Sequence, residues 1–154
     1  MLHLFAVYLL AQFREKRAYE PLVKIVSAPG DIPDALLGNT VTEDLNRILA
    51  SIFNGDPDPL KGLVEGREVA PYVRWAALDT FPVLVAAGEM TRENVVAYFE
   101  ELFTWRLDRD CDQAWNGLIG AVAVAPPGRE GPASRWGSSL APSRGELEAA
   151  RRAA

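Results

Sequence analysis

Apolar residues recur along most of this chain at intervals of three and four, the spacing that gathers them on one face of an α-helix. From Leu2 to Phe13 they stand on all sides, so a helix there needs cover on all sides. A second helix is predicted from Tyr19, with Pro21 in its first turn, where a missing N–H costs little. It shows Leu22, Ile25 and Val26 on one face and stops at Pro29-Gly30. A loop follows from Asp31 to Asn39, with a short turn at Pro33–Leu37. Thr40 and Glu43 form a capping-box pair for the next helix, whose buried stripe is Leu45, Ile48, Leu49 and Ile52 and whose end is Asn54-Gly55. Asp58-Pro59 opens a short helix with Leu60, Leu63 and Val64 inward and Gly66 as its stop. Pro71 opens a longer one carrying Val73, Ala76, Ala77, Thr80 and Leu84, and Pro82 inside it predicts a kink. Thr91 caps a helix with the stripe Val95, Val96, Phe99, Leu102 and Phe103. A charged loop, Asp108 to Asp112, precedes a last apolar helix from Trp115 to Val124. No alternating run predicts a strand, so the expected class is all-α.

The second helix and the one after Asp58 resemble each other. Pro21-Leu22 with Ile25-Val26 matches Pro59-Leu60 with Leu63-Val64 at an offset of 38 residues, and a longer helix follows each. Helix pairs at about this period mark an α-solenoid. The stretch Asp58-Pro59-Leu60 together with Pro71-Tyr72-Val73-Arg74-Trp75-Ala76-Ala77-Leu78 resembles a HEAT repeat, with a proline-started first helix, a Val-Arg step and paired alanines in the second. A wider resemblance takes in His3-Leu4-Phe5-Ala6, Leu9 to Glu15, Ala18-Tyr19, Leu22, Val73-Arg74, Ala77-Leu78 and Tyr98-Phe99. Over residues 1–124 the chain is similar to a bacterial family of domains of unknown function built from HEAT-like helices. That resemblance implies a fold and no activity. Some members carry a C-terminal Cys/His zinc motif; this chain has none, so no zinc role is carried over.

The expected architecture is a short, right-handed α-solenoid of about three HEAT-like antiparallel helix pairs over residues 1–124, the first pair incomplete. Leu2–Phe13 reads as the second helix of a pair without its first, which leaves an apolar outer face for another molecule or a second copy of the chain. From Ala125 the character changes. Ala, Pro, Gly, Arg and Ser supply 24 of the last 30 residues, with no Ile, Val, Phe or Tyr. Residues 125–154 are therefore expected to be a disordered low-complexity tail, either a linker or the product of a reading-frame change.

Charge narrows the partners. Residues 1–124 hold 11 Lys/Arg against 18 Asp/Glu, a formal charge of −7, while residues 125–154 carry +2. An acidic body repels phosphate backbones, so nucleic acid is a disfavoured partner. The apolar stretch at the start is too short to cross a bilayer, and its basic residues follow it rather than precede it, so neither a membrane span nor a signal peptide is expected. One cysteine among 154 residues excludes an internal disulfide, and the expected location is cytoplasmic.

No catalytic set, metal site or cofactor motif emerges. Asp108, Asp110 and Asp112 alternate like the opening of a calcium loop, but Gln113 and Ile119 stand where that loop needs glycine and glutamate. Asn54, Asp56 and Asp58 share the spacing and read as helix lead-ins. Cys111 lies between two aspartates, which oppose thiolate formation, and His3 reads as a packed residue. Gly117-Leu118-Ile119-Gly120 lacks the lysine of a phosphate loop. Arg74, by the HEAT resemblance, pairs with a neighbouring acid to hold repeats in register. Arg47, Arg74, Trp75, Asp79 and Trp115 are the candidate partner-binding residues of a concave face. The expected function is a non-enzymatic scaffold for a protein or peptide. Its rivals are a nucleic-acid enzyme of the helical-repeat glycosylase kind and a truncated, non-functional product.

Overall fold

The computed structural model describes residues 2–106 and 112–124. The helices are α1 (Leu2–Gln12), α2 (Tyr19–Val26), α3 (Ile32–Leu37), α4 (Thr40–Glu43), α5 (Leu45–Ser51), α6 (Asp58–Glu65), α7 (Pro71–Ala87), α8 (Arg92–Glu101) and α9 (Asp112–Val124). A 3-10 turn, Lys16–Ala18, joins α1 to α2, and a π turn, Leu102–Arg106, follows α8. Among the described residues there is no strand, only an isolated bridge between Pro29 and Val69. The chain is all-α.

The helix α7 has neighbours on most sides. It packs most extensively on α9 and α5, then on α6, α4 and α8. In succession α1 touches α5, α5 touches α7 and α7 touches α9, while α2 touches α6. The core runs along this path, with Tyr19, Leu45, Leu49, Phe53, Leu60, Leu63, Leu78, Phe81, Leu84, Leu102 and Leu118 all fully buried. The expected inward set of α7 (Val73, Ala76, Ala77, Thr80 and Leu84) is buried, and so are Arg74, Leu78, Phe81 and Pro82. The helix runs through Pro82 and ends at Gly88.

Three local expectations are corrected. Ile25 is exposed and Val23 buried, because α2 turns inward along Tyr19, Leu22, Val23 and Val26, a stripe centred on the Tyr19 ring. Tyr19 packs edge-on against Phe53, 5.6 Å between centroids, and its hydroxyl donates to the Asp56 carbonyl. Burial raises the pKa of that phenol well above its ordinary value. The capping box at Thr40 does not form. The segment breaks at Asp44 into α4 and α5, Thr40 faces inward, and its hydroxyl meets that of Tyr8. The last helix starts at Asp112, three residues before the predicted Trp115.

Two helices close with the same backbone pattern. At the end of α1 the Arg14 N–H donates to the Ala11 carbonyl and the Glu15 N–H to that of Leu10; at the end of α7 Gly88 and Glu89 do likewise to Val85 and Leu84. This is a Schellman closure, which needs a left-handed residue at its corner. Gly88 fills that corner at φ +76°, but α1 uses Arg14 at φ +51°. Next to it, hydrogen bonds from Arg17 hold the Glu15 carboxyl down to about 2.

Arg74 supplies the closure of α6. Its Nε donates to the carbonyl of Val64 at 2.9 Å, one of the last carbonyls of a helix that ends at Glu65. Such carbonyls have no partner within their own helix, and a cation at a helix C-terminus also faces the negative end of its dipole. The expected acid partner of Arg74 is thus replaced by backbone. Arg74→Ala is expected to cost about 2–4 kcal/mol in chemical denaturation, from the cavity and the orphaned carbonyl. Arg14→Gly is expected to raise stability by up to about 1 kcal/mol in the same measurement, by removing a side chain from a left-handed corner.

Candidate functional site

In the first half of α7 Tyr72, Trp75 and Asp79 escape full burial together with Pro71, and the three are spaced by three and four and so aligned on one face; Val83, Val85, Ala86 and Ala87 are also less than buried toward the far end. Pro71, in the first turn, opens the helix just before them. Tyr72 and Trp75 are both exposed, with ring centroids 6.4 Å apart and planes inclined at 30°. Trp75 lies against α9. A Cβ placed on Gly117 would stand 2.6 Å from Trp75 Cδ1, so only glycine lets the indole seat there without displacement. Asp79 follows one turn on, where the indole N–H favours its charged form.

Asp79 is half-buried, and burial raises its pKa above the ordinary aspartate value, with the Trp75 hydrogen bond opposing the rise. A carboxylate kept partly dry is a group whose charge is undercompensated. Such perturbed groups concentrate at functional sites. Aromatic faces and a carboxylate together suit a cationic group.

The other predicted residues distribute unevenly. Arg47 is exposed on α5, with Asp44 at 3.9 Å. The α5 and α7 helices meet beside it, where Thr80 Oγ1, which donates to the Ala76 carbonyl of its own helix at 2.8 Å, lies 3.4 Å from the Asn46 carbonyl. Arg74 is corrected out of the set. It is 2 % exposed and directed at α6, away from the Trp75 face, because its guanidinium serves the end of that helix. Trp115 belongs to α9, and its side chain lies outside the described residues, as do Leu107 to Cys111 and residues 125–154. Tyr72 was absent from the predicted set; its signal was the three-residue step to Trp75.

The remaining candidates have structural explanations. Asn54 Oδ1 accepts from the Asp56 N–H and Asp56 Oδ1 from the Asp58 N–H, so these side chains shape the entry to α6. His3 Nε2 donates to the carbonyl of Leu36 and fastens α1 to α3. Among the described residues no helix is long and apolar enough to cross a membrane.

The raised pKa of Asp79 sets a pH dependence. The fold prefers the protonated carboxyl, so this group's stabilising contribution is complete below the unfolded aspartate pKa. It is lost as pH rises through the higher folded value. Asp79→Asn is expected to raise Tm at pH 7, and the gain over the parent chain should vanish by about pH 3, followed by thermal melts across that range.

A family profile described as a protein of unknown function, DUF1186, matches residues 1–128. An uncharacterized protein of Chlamydia trachomatis serovar D is 42% identical over 125 residues, covering 81% of this chain and 49% of its own length. One from Chlamydia muridarum is 41% identical over 125 residues, covering 81% and 50%. The chain thus spans about half the length of the curated relatives it matches. No solved structure matches. With most of its length inside the matched profile, and two relatives above 40% identity, the chain belongs to the DUF1186 family.

Proposed function

We propose that this chain is a short HEAT-like α-solenoid that binds a protein or peptide, without catalysis, on the face carrying Tyr72, Trp75 and Asp79. The order of contacts supports the solenoid. The helices α1, α5, α7 and α9 touch in succession as one layer, and α2 touches α6 in another. The proline-started helices α2 and α6 hold equivalent places 38 residues apart. In that arrangement α5, α7 and α9 form the inner layer, and their outward residues line the groove.

The observation that carries the binding role is the half-buried Asp79, whose charge is disfavoured by burial, on the same helix face as two exposed aromatic rings. A peptide presenting a lysine or arginine would return a counter-charge to Asp79 and lay its alkyl stem on Trp75 and Tyr72. Arg47, on the neighbouring helix, would tune the register of an acidic neighbour in that peptide. The acidic body repels nucleic acid and attracts such a ligand. The cytoplasmic setting is part of the same reading and is supported by the single cysteine.

Panning a phage-displayed peptide library on the 154-residue chain tests this. Enriched clones are expected to carry a basic residue next to an apolar one and to bind in the ~micromolar range. Trp75→Ala and Asp79→Asn should each weaken them at least about tenfold with helical content unchanged. No enrichment, or clones indifferent to both substitutions, would refute the assignment.

A further inference from the structure

The outer side of α1 is a second surface, independent of the groove. Leu4, Val7 and Ala11 pack inward on the core. The opposite face carries Leu2, Phe5, Leu9 and Phe13, exposed at 87%, 68%, 50% and 76%. Ala6 lies in the middle of that stripe, and Tyr8 and Leu10, also exposed, flank it. The helix is not loose. His3 donates to the Leu36 carbonyl on one flank and Tyr8 to Asp44 on the other at 2.6 Å, so the stripe is held as a fixed ridge. With an aromatic residue worth roughly 150–250 Å² when fully covered, the stripe leaves on the order of 600 Å² of apolar surface wet. That is the upper end of the largest patch on ordinary monomers.

We infer that this ridge pairs with the same ridge of a second copy of the chain, antiparallel across a two-fold axis. Three observations select that occupant. Two ridges together would cover about 1,200 Å², the lower bound of stable, specific interfaces. No charged side chain occurs from Leu2 to Phe13, whereas residues 1–124 as a whole carry −7, so α1 is where two copies meet with least repulsion. The spacing is self-complementary. A two-fold between Ala6 and Leu9 sets Leu2 against the partner's Phe13 and Phe5 against the partner's Leu9, with Ala6 small enough for close approach. The antiparallel sense also sends the basic cluster Arg14, Lys16 and Arg17 of the two copies to opposite ends; a parallel pair would put them side by side.

Sedimentation equilibrium of the 154-residue chain from about 1 µM to about 100 µM tests the pairing. A concentration-dependent dimer is expected. Phe5→Glu with Phe13→Glu should weaken it at least about 100-fold while circular dichroism shows the same helical content. In a Cys111→Ser background, mixed Phe5→Cys and Leu9→Cys copies should form a disulfide-linked dimer, and Leu2→Cys copies should not link to each other. A monomer throughout hands the ridge to some other occupant and overturns the inference. So does a dimer indifferent to the two glutamates, or preferential linking of Leu2→Cys copies.

Discussion

A helix that is apolar around most of its circumference has to be surrounded, because each wet apolar side chain forfeits roughly 1.5–3 kcal/mol. The α7 helix is in that position. Val73, Ala76, Ala77, Leu78, Phe81, Pro82 and Leu84 are all buried, and they do not lie on one stripe. The rest of the described chain answers this demand. The α5 and α9 helices cover two sides, α6 and α8 others, and α4 closes a remaining edge. Phe81 illustrates the density of the packing, with Tyr98 at 5.2 Å and Phe99 at 5.9 Å between centroids. Small residues let backbones approach: Ala76 and Ala77 within α7, and Gly117 on α9 under Trp75.

Covering α7 with short helices creates a second difficulty. Each short helix ends soon after it starts, and its terminal carbonyls need donors. The chain answers with long-range bonds from side chain to backbone. Arg74 reaches the Val64 carbonyl near the end of α6 and His3 that of Leu36 near the end of α3, while Tyr19 ties α2 to the loop ahead of α6 at the Asp56 carbonyl. These bonds link neighbouring helices in the places where an apolar seam alone would leave their axial register free. The Nε bond of Arg74 satisfies one donor of its buried guanidinium, while its Nη2 is buried without a partner among the described residues.

What stays exposed is informative against that background. In the first half of α7 it includes a face on which Asp79 is half-buried, its charge disfavoured by partial burial. On α1 it is a ridge of large apolar side chains clamped at both flanks. The first surface combines a carboxylate with aromatic rings, the composition for a charged small or linear ligand. The second is an uncharged apolar ridge along a helix.

Periodicity made the all-α class legible, along with the proline starts at Pro59 and Pro71, the Thr91 cap, the Gly66 stop and the inward set of α7, since each depends on residues within a turn or two. That Trp75 and Asp79 share a helix face was legible for the same reason, being one turn apart. Three things were not: the inward rotation of α2 that exposes Ile25, the break at Asp44 in place of a capping box, and the burial of Arg74 against α6. Each turned on a partner far along the chain. Tyr19 needed Phe53 and Asp56, Thr40 needed Tyr8, and Arg74 needed the end of α6 ten residues away. Local spacing tells a residue which neighbours share its face; which way that face turns is decided by the surfaces brought against it in three dimensions.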